Sequence, residues 1–280
     1  MLMEVVFPMG LCIALIAFLA EYVDSTLGMG YGTTLTPVLL LMGYEPMQVV
    51  PAILLSELLT GLFAGLAHHR AGNADFRPRL AGLRLIIREM KQSGIVESLR
   101  QVIPRDLCVA MVIAACSIVG TLVAVFLAVR ISKFYLELYI GTMVLVIGLY
   151  ILLSRKKQHR FSWTKVTGLG LVASFNKGIS GGGYGPLVTG GQILSGVEGK
   201  KSVAITSLAE GLTCVVGFLA YLLTKNIQDW TLFPFLCGGA VLSVPLSAYT
   251  VKLIKPSYLK LAIGLLTTAL GTFTLVKVLL

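Results

Sequence analysis

Five ionisable side chains stand in stretches of this chain that are otherwise apolar: Glu21, Asp24, Glu57, Lys177 and Glu210. Charge in such surroundings is costly and marks an ion or substrate pathway by default. Asp24 and Lys177 each stand in a glycine-rich stretch, DSTLGMGYG at residues 24–32 and NKGISGGGYG at residues 176–185. Glycine permits a sharp reversal and lets backbone approach a ligand closely. A helix that starts after each Gly-Tyr-Gly presents free N–H groups and the positive end of its dipole, a natural seat for an anion. The chemistry this pattern suggests is reversible capture of a small anion. The backbone donors would be Gly30, Tyr31, Gly32, Gly182, Gly183, Tyr184 and Gly185. Hydroxyls of Thr33, Thr34, Thr36, Ser180 and Thr189 stand close by in sequence.

Each assignment has a plainer counterpart. Small residues also permit close helix packing. Two glycine loops at matching positions, each beside ionisable groups, favour a site. Lys177 either pairs with Asp24 or helps to bind the anion. Glu57 and Glu210, with Glu21 just before the first loop, either couple transport to a proton or cation or hold the loop backbone in shape. Tyr31 and Tyr184 either stack on or gate the substrate, or pack.

The elements that must position these groups are membrane helices. Of 280 residues, 56% are hydrophobic and 13% charged, against about 25% charged in a soluble domain. Apolar runs of about 20 residues recur along the whole length, so the chain reads as all-α and polytopic. The first ten residues have no basic segment and no small-residue cleavage site, so no cleaved signal peptide is expected. The expected order is an apolar segment at 5–20, the first loop and a half-segment at 33–42. Full spans follow at 47–67, 107–129 and 134–153. The pattern then restarts: 163–175, the second loop, a half-segment at 186–194, and full spans at 202–223, 230–251 and 258–280. The segments that flank each loop read as too short for ordinary spans.

The restart is a repeat. At an offset of about 153, Thr36 falls on Thr189, Gly43 on Gly196, Glu45 on Glu198, Glu57 on Glu210 and Thr60 on Thr213. Farther on the offset is about 123, with Asp106 on Asp229, Tyr135 on Tyr258 and Gly141 on Gly264. The difference is one insertion between His69 and Arg105. The halves are residues 1–154 and 155–280. Each holds a broken-helix hairpin plus three transmembrane helices. Three crossings is odd, so the second half is expected to be inverted relative to the first. Charge agrees: segments 70–105, 155–165, 200–201 and 252–260 hold about 18 of the 23 Lys and Arg, and this topology puts them all on one face, the cytoplasmic one. Both termini then lie outside. The net charge of +10 is thereby read as basic loops, not as affinity for nucleic acid. The insertion at 81–104 reads as an interfacial amphipathic helix pair, with a regulatory or partner-binding role as the alternative.

The five cysteines have no CxxC spacing and read as buried hydrophobes. Neither a metal nor a cofactor is expected. His68 and His69 are expected at a solvated span end, and His159 in a basic loop. Pro245 should kink its span. Gly120, Gly141, Gly217 and Gly264 read as packing positions.

With these features in hand, the chain resembles the TauE/SafE family of sulfite exporters and related anion transporters over essentially its whole length. The specific pieces are GMGYGTTLTP at 28–37 and ISGGGYGPL at 179–187. Met29 stands where the family often has Gly, and Gly190 stands where Pro37 stands in the first half. The resemblance implies transport of sulfur oxyanions or organosulfonates across an inner membrane. The residues by themselves point to a carrier with a symmetric, anion-friendly site working by alternating access, with a homodimer compatible with the sequence. An anion channel is the near alternative. A membrane-embedded enzyme is the alternative from another class, disfavoured because HExxH and GxSxG are absent and the apolar segments read as lacking histidine.

Overall fold

The computed structural model describes residues 2–78, 103–127, 133–154, 157, 159–180, 184–224 and 230–279. Among them are ten helices: α1 Leu2–Leu27, α2 Tyr31–Leu41, α3 Pro46–Ala71, α4 Arg105–Leu127, α5 Lys133–Leu153, α6 Trp163–Ser180, α7 Tyr184–Leu194, α8 Gly199–Thr224, α9 Leu232–Leu253 and α10 Pro256–Leu279. The described residues contain no strand. Five helices are long and apolar enough to cross a membrane: α1, α3, α8, α9 and α10. Large apolar side chains such as Leu15, Leu62, Leu242 and Phe273 are exposed on their flanks, as expected where the neighbour is lipid and not water.

Helix boundaries repeat with the sequence offset. α2 and α7 each have 11 residues, and α3 and α8 each have 26. Each short helix ends at a glycine in the left-handed region, Gly43 at φ 91° and Gly196 at φ 87°. Only a residue without Cβ turns there at low cost. The packing partners are exchanged in the same sense. α1 lies on α9 and α6 lies on α4, while α3 crosses α8 and α5 crosses α10. At the α3–α8 crossing the backbones touch at Gly61 and Gly211. At the α5–α10 crossing they touch at Gly148 and Gly271. The four glycines expected at packing positions behave accordingly: Gly120 abuts Ser174, Gly141 abuts Leu275, Gly217 abuts Leu54 and Gly264 abuts Leu152.

Two apolar clusters form the core. One gathers Ile13, Ala17, Tyr31, Leu35, Leu39, Ile53 and Leu236 around α2. The other gathers Ile113, Ile147, Ile151, Tyr184, Leu187, Val188 and Ile205 around α7. The short helices differ in enclosure. Every residue of α7 from Tyr184 to Ile193 is buried, whereas α2 buries Tyr31, Leu35 and Leu39 and leaves Thr33, Thr34 and Pro37 exposed.

Three sequence expectations are corrected. The first apolar segment is no short piece: α1 runs 26 residues, because Glu21, Asp24 and Ser25 find partners that let the helix continue. The first loop is correspondingly shorter than 24–32; helix persists to Leu27 and only Gly28, Met29 and Gly30 separate α1 from α2. The second break is also narrower, since α6 holds helical backbone through Lys177 to Ser180. Gly182 and Gly183, with most of the 81–104 insertion, lie outside the described residues.

Candidate functional site

The first break meets the start of α7 inside the bundle. The Thr189 hydroxyl on α7 donates to the Gly28 carbonyl at 2.9 Å, and its oxygen lies 3.0 Å from Thr206 Oγ1 on α8. A Cβ on Gly185 would stand 2.7 Å from the Gly28 carbonyl oxygen and 2.8 Å from Met29 Cα. Such proximity admits only glycine without rearrangement. Gly28 itself adopts φ 76° and Gly30 φ 130°. Met29, fully buried, reaches Thr267 on α10, whose hydroxyl lies 3.6 Å from its sulfur. Gln192 continues the polar seam through Thr206 Oγ1 at 2.8 Å.

Asp24, near the end of α1, reaches the start of α2. Its Oδ1 accepts from the Tyr31 N–H at 3.3 Å. The half-helix N-terminus is thus already met by a carboxylate of the same chain, a favourable placement for negative charge. The Thr33 hydroxyl donates to the Gly30 carbonyl at 3.1 Å, and Thr33 and Thr34 are exposed. Both tyrosines are buried and hydrogen-bonded: Tyr31 Oη lies 2.7 Å from Ser56 Oγ, and Tyr184 Oη lies 3.1 Å from Ser117 Oγ and 3.5 Å from Thr213 Oγ1.

Beside the breaks, four acids converge. Glu21, Asp24, Glu57 and Glu210 line one cavity of ≈ 10 Å³ together with Thr60, Gly61 and Ser207. That volume suits about one water molecule. Ser25 Oγ donates to Glu21 Oε1 at 2.5 Å, Thr60 Oγ1 to Glu21 Oε2 at 3.2 Å, and Cys214 Sγ to Glu57 Oε2 at 3.2 Å. Glu57 Oε1 also lies where a Cβ on Gly32 would come within 2.8 Å. Among the described residues no group of His, Cys, Asp and Glu is arranged to hold a metal ion. Lys177 and Ser180 sit on the last turns of α6.

The histidine expectation is corrected. His68 lies within α3 and is fully buried, so an apolar span does carry histidine. Its Nε2 is 3.0 Å from the Ser25 carbonyl, and its Nδ1 is 2.9 Å from Asn73 Nδ2. His69 is partly exposed, with Nδ1 3.8 Å from Asp75 Oδ1. The signal in the sequence was Gly72-Asn73 after the span, a helix stop that turns the chain back over its own last residues.

The basic segments gather at one end. Lys260 Nζ donates to the carbonyls of Ser154 and Lys157, and Lys200 Nζ to that of Lys252. Lys201 pairs with buried Asp106 at 3.3 Å, and Asp106 Oδ2 also accepts the Asp75 N–H. Arg105 lies 4.9 Å over the Phe161 ring, within cation–π range. Arg105, Asp106, Phe161 and Lys201 border a cavity of ≈ 140 Å³.

Long apolar helices, a helix break packed on the half-helix α7, and carboxyl groups enclosed beside it define a multi-pass helical membrane protein with an ionisable core. The sulfite exporter TauE/SafE family model matches residues 13–87 and 91–274. The chain belongs to the TauE/SafE family of membrane transporters. It is similar to the probable membrane transporter protein YtnM of Bacillus subtilis (strain 168), with 26% identity over 266 residues, covering 90% of this chain and 77% of that protein. No solved structure matches it.

Proposed function

We propose that this protein is a secondary transporter that carries a small anion, a sulfur oxyanion such as sulfite or an organosulfonate, across the inner membrane. The observation that carries the reading is the contact of the first helix break with the half-helix α7, through Thr189 and Gly185 against Gly28. Half-helix ends brought together within a membrane bundle are the usual form of a carrier site. The family supplies the sulfur oxyanion. The halves 1–154 and 155–280 are read as inverted repeats that rock about this point. The exchanged pairing of α1 with α9 and α6 with α4 supports that reading. The basic end is assigned to the cytoplasm and both termini to the outside. Enzyme chemistry forms no part of the proposal.

Asp24 suggests how coupling works. An anion approaching the start of α2 meets a carboxylate already bound to the Tyr31 N–H. Proton uptake by the four-acid cluster, or entry of a cation, would relieve the repulsion and release the amide for the substrate. Substrate contacts are assigned to Gly30, Tyr31, Gly32, Thr33, Thr34, Lys177, Ser180, Gly182, Gly183, Tyr184 and Gly185. Glu21, Asp24, Glu57 and Glu210 take the coupling or loop-holding role.

Proteoliposomes holding the purified protein test this with radiolabelled sulfite and a labelled sulfonate. A carrier gives saturable uptake and counterflow. Linear, non-saturating flux without counterflow indicates a channel, and no flux of either anion removes the substrate assignment. Uptake by Glu210→Gln with an unchanged pH and ion dependence removes coupling through that residue.

A further inference from the structure

We infer that His68 and Asn73 form a positioning pair that holds the first helix break in its working shape. The hydrogen-bond directions follow from chemistry. The Ala248 carbonyl on α9 accepts only, so the Asn73 group 2.8 Å from it is the NH2 end. The same NH2 lies 2.9 Å from His68 Nδ1, which must therefore be the acceptor nitrogen. The imidazole is then neutral with its proton on Nε2, and Nε2 donates to the Ser25 carbonyl at 3.0 Å. Every donor in the chain of contacts meets an acceptor.

The Ser25 carbonyl has a particular need. In a continuing helix it would accept from the N–H of Met29. That residue lies past the turn at Gly28, and α1 ends at Leu27. An interrupted helix in a membrane must find substitutes for such partners. His68 provides one from α3. Ser25 is also the residue whose hydroxyl holds Glu21, and it follows Asp24, which holds Tyr31. Fixing its backbone therefore fixes both carboxyl groups on that turn.

Asn73 is placed by a helix stop. Gly72 turns at φ 80°, its N–H returns to the His69 carbonyl and the Asn73 N–H returns to the His68 carbonyl. This is the paired closure of a Schellman ending. It folds Asn73 back over His68 and toward α9. The break in α1 is thereby joined to α3 and α9 as one body. The repeat offset places Tyr221 opposite His68 and Gly178 opposite Ser25. The duplicated fold has no such histidine in its other half, so the pair serves the first break specifically.

The role in transport rests on the reading of the break as substrate site, so the test has two arms. Amide hydrogen exchange on the purified protein reads the break directly. His68→Leu and Asn73→Leu should raise exchange of residues 28–31 by about tenfold, as expected for one lost buried hydrogen bond. His68→Gln, which keeps a donor for Ser25 and an acceptor for Asn73, should restore most of the protection. Unchanged exchange in folded His68→Leu overturns the pair. In proteoliposomes, His68→Leu should raise the KM for sulfite more than it lowers maximal rate, with rescue by His68→Gln. A melting shift with unaltered KM in both variants would reduce the pair to a structural brace and overturn its positioning role. If wild-type vesicles move no sulfite, the substrate reading fails while the exchange result still decides the pair.

Discussion

The glycine contact where α3 crosses α8 makes the sharpest prediction. A Cβ placed on Gly61 would lie 2.7 Å from Gly211 Cα and 2.7 Å from the Ser207 carbonyl oxygen. Carbon atoms in contact prefer about 3.5–4.0 Å, so Gly61→Ala must drive α3 and α8 apart by about 1 Å. Neither obstacle is a side chain that can rotate away. The displaced region includes the four-acid cavity, which Gly61 and Ser207 line. The Cys214–Glu57 contact of 3.2 Å spans the same crossing and would pass beyond hydrogen-bond reach. Overpacking costs about 1–3 kcal/mol, and a lost hydrogen bond adds about 1 kcal/mol. The expected fall in melting temperature is about 5–15 °C, from about 2–4 °C per kcal/mol in a chain of this size. Thermal unfolding in detergent, followed by intrinsic fluorescence, measures it. Gly211→Ala should behave alike, because its Cβ would stand 3.0 Å from Gly61 Cα. The double variant should cost less than the sum, since one separation relieves both clashes. Both single variants melting within about 0.5 kcal/mol of wild type, the range of a surface change, would refute this crossing.

Other expectations follow from individual contacts. Thr189→Val keeps volume but removes the bonds to Gly28 and Thr206; it should cost about 1–2 kcal/mol in melting experiments and depress sulfite uptake. Gly28→Ala places a side chain at φ 76° against Thr189, a strain of about 1–3 kcal/mol, and should lower both melting temperature and uptake rate. Asp106→Leu strips the Asp75 N–H and Lys201 of their acceptor. It should destabilise more than Lys201→Met, because the Lys201 side chain is 35% exposed and its charge is screened by solvent. Comparing the two melting curves at low and high salt checks the order. Tyr184→Phe loses the hydroxyl between Ser117 and Thr213 and should cost about 1 kcal/mol without abolishing uptake.

The matching turns after the two short helices were readable because they are marked by residues with few substitutes. Gly43 and Gly196 turn into the left-handed region at the same step of each half, and matched sequence spacing reproduces matched helix lengths. Charge patterning likewise foretold which segments gather at one end. The extent of the breaks was not readable. Asp24-Ser25-Thr26 looks like loop chemistry, yet the Ser25–Glu21 and Asp24–Tyr31 contacts keep those residues in or against helix. That outcome depends on partners distant from the motif, His68 above all. Enclosure was hidden for a similar reason. Nothing in YGPLVTGGQIL marks a segment wrapped on all sides except Gly190 and Gly191, whose missing side chains admit Ile147 and Leu169. Pro37, opposite Gly190, has no such vacancy to offer.

That last difference has a mechanical outcome. A short rod gripped on every flank by its neighbours must travel with them, so α7 is the fixed jaw. A rod held along one side only, as α2 is, can tilt without first breaking a shell of contacts. Any motion at this seam is expected to begin at the loosely held rod, α2.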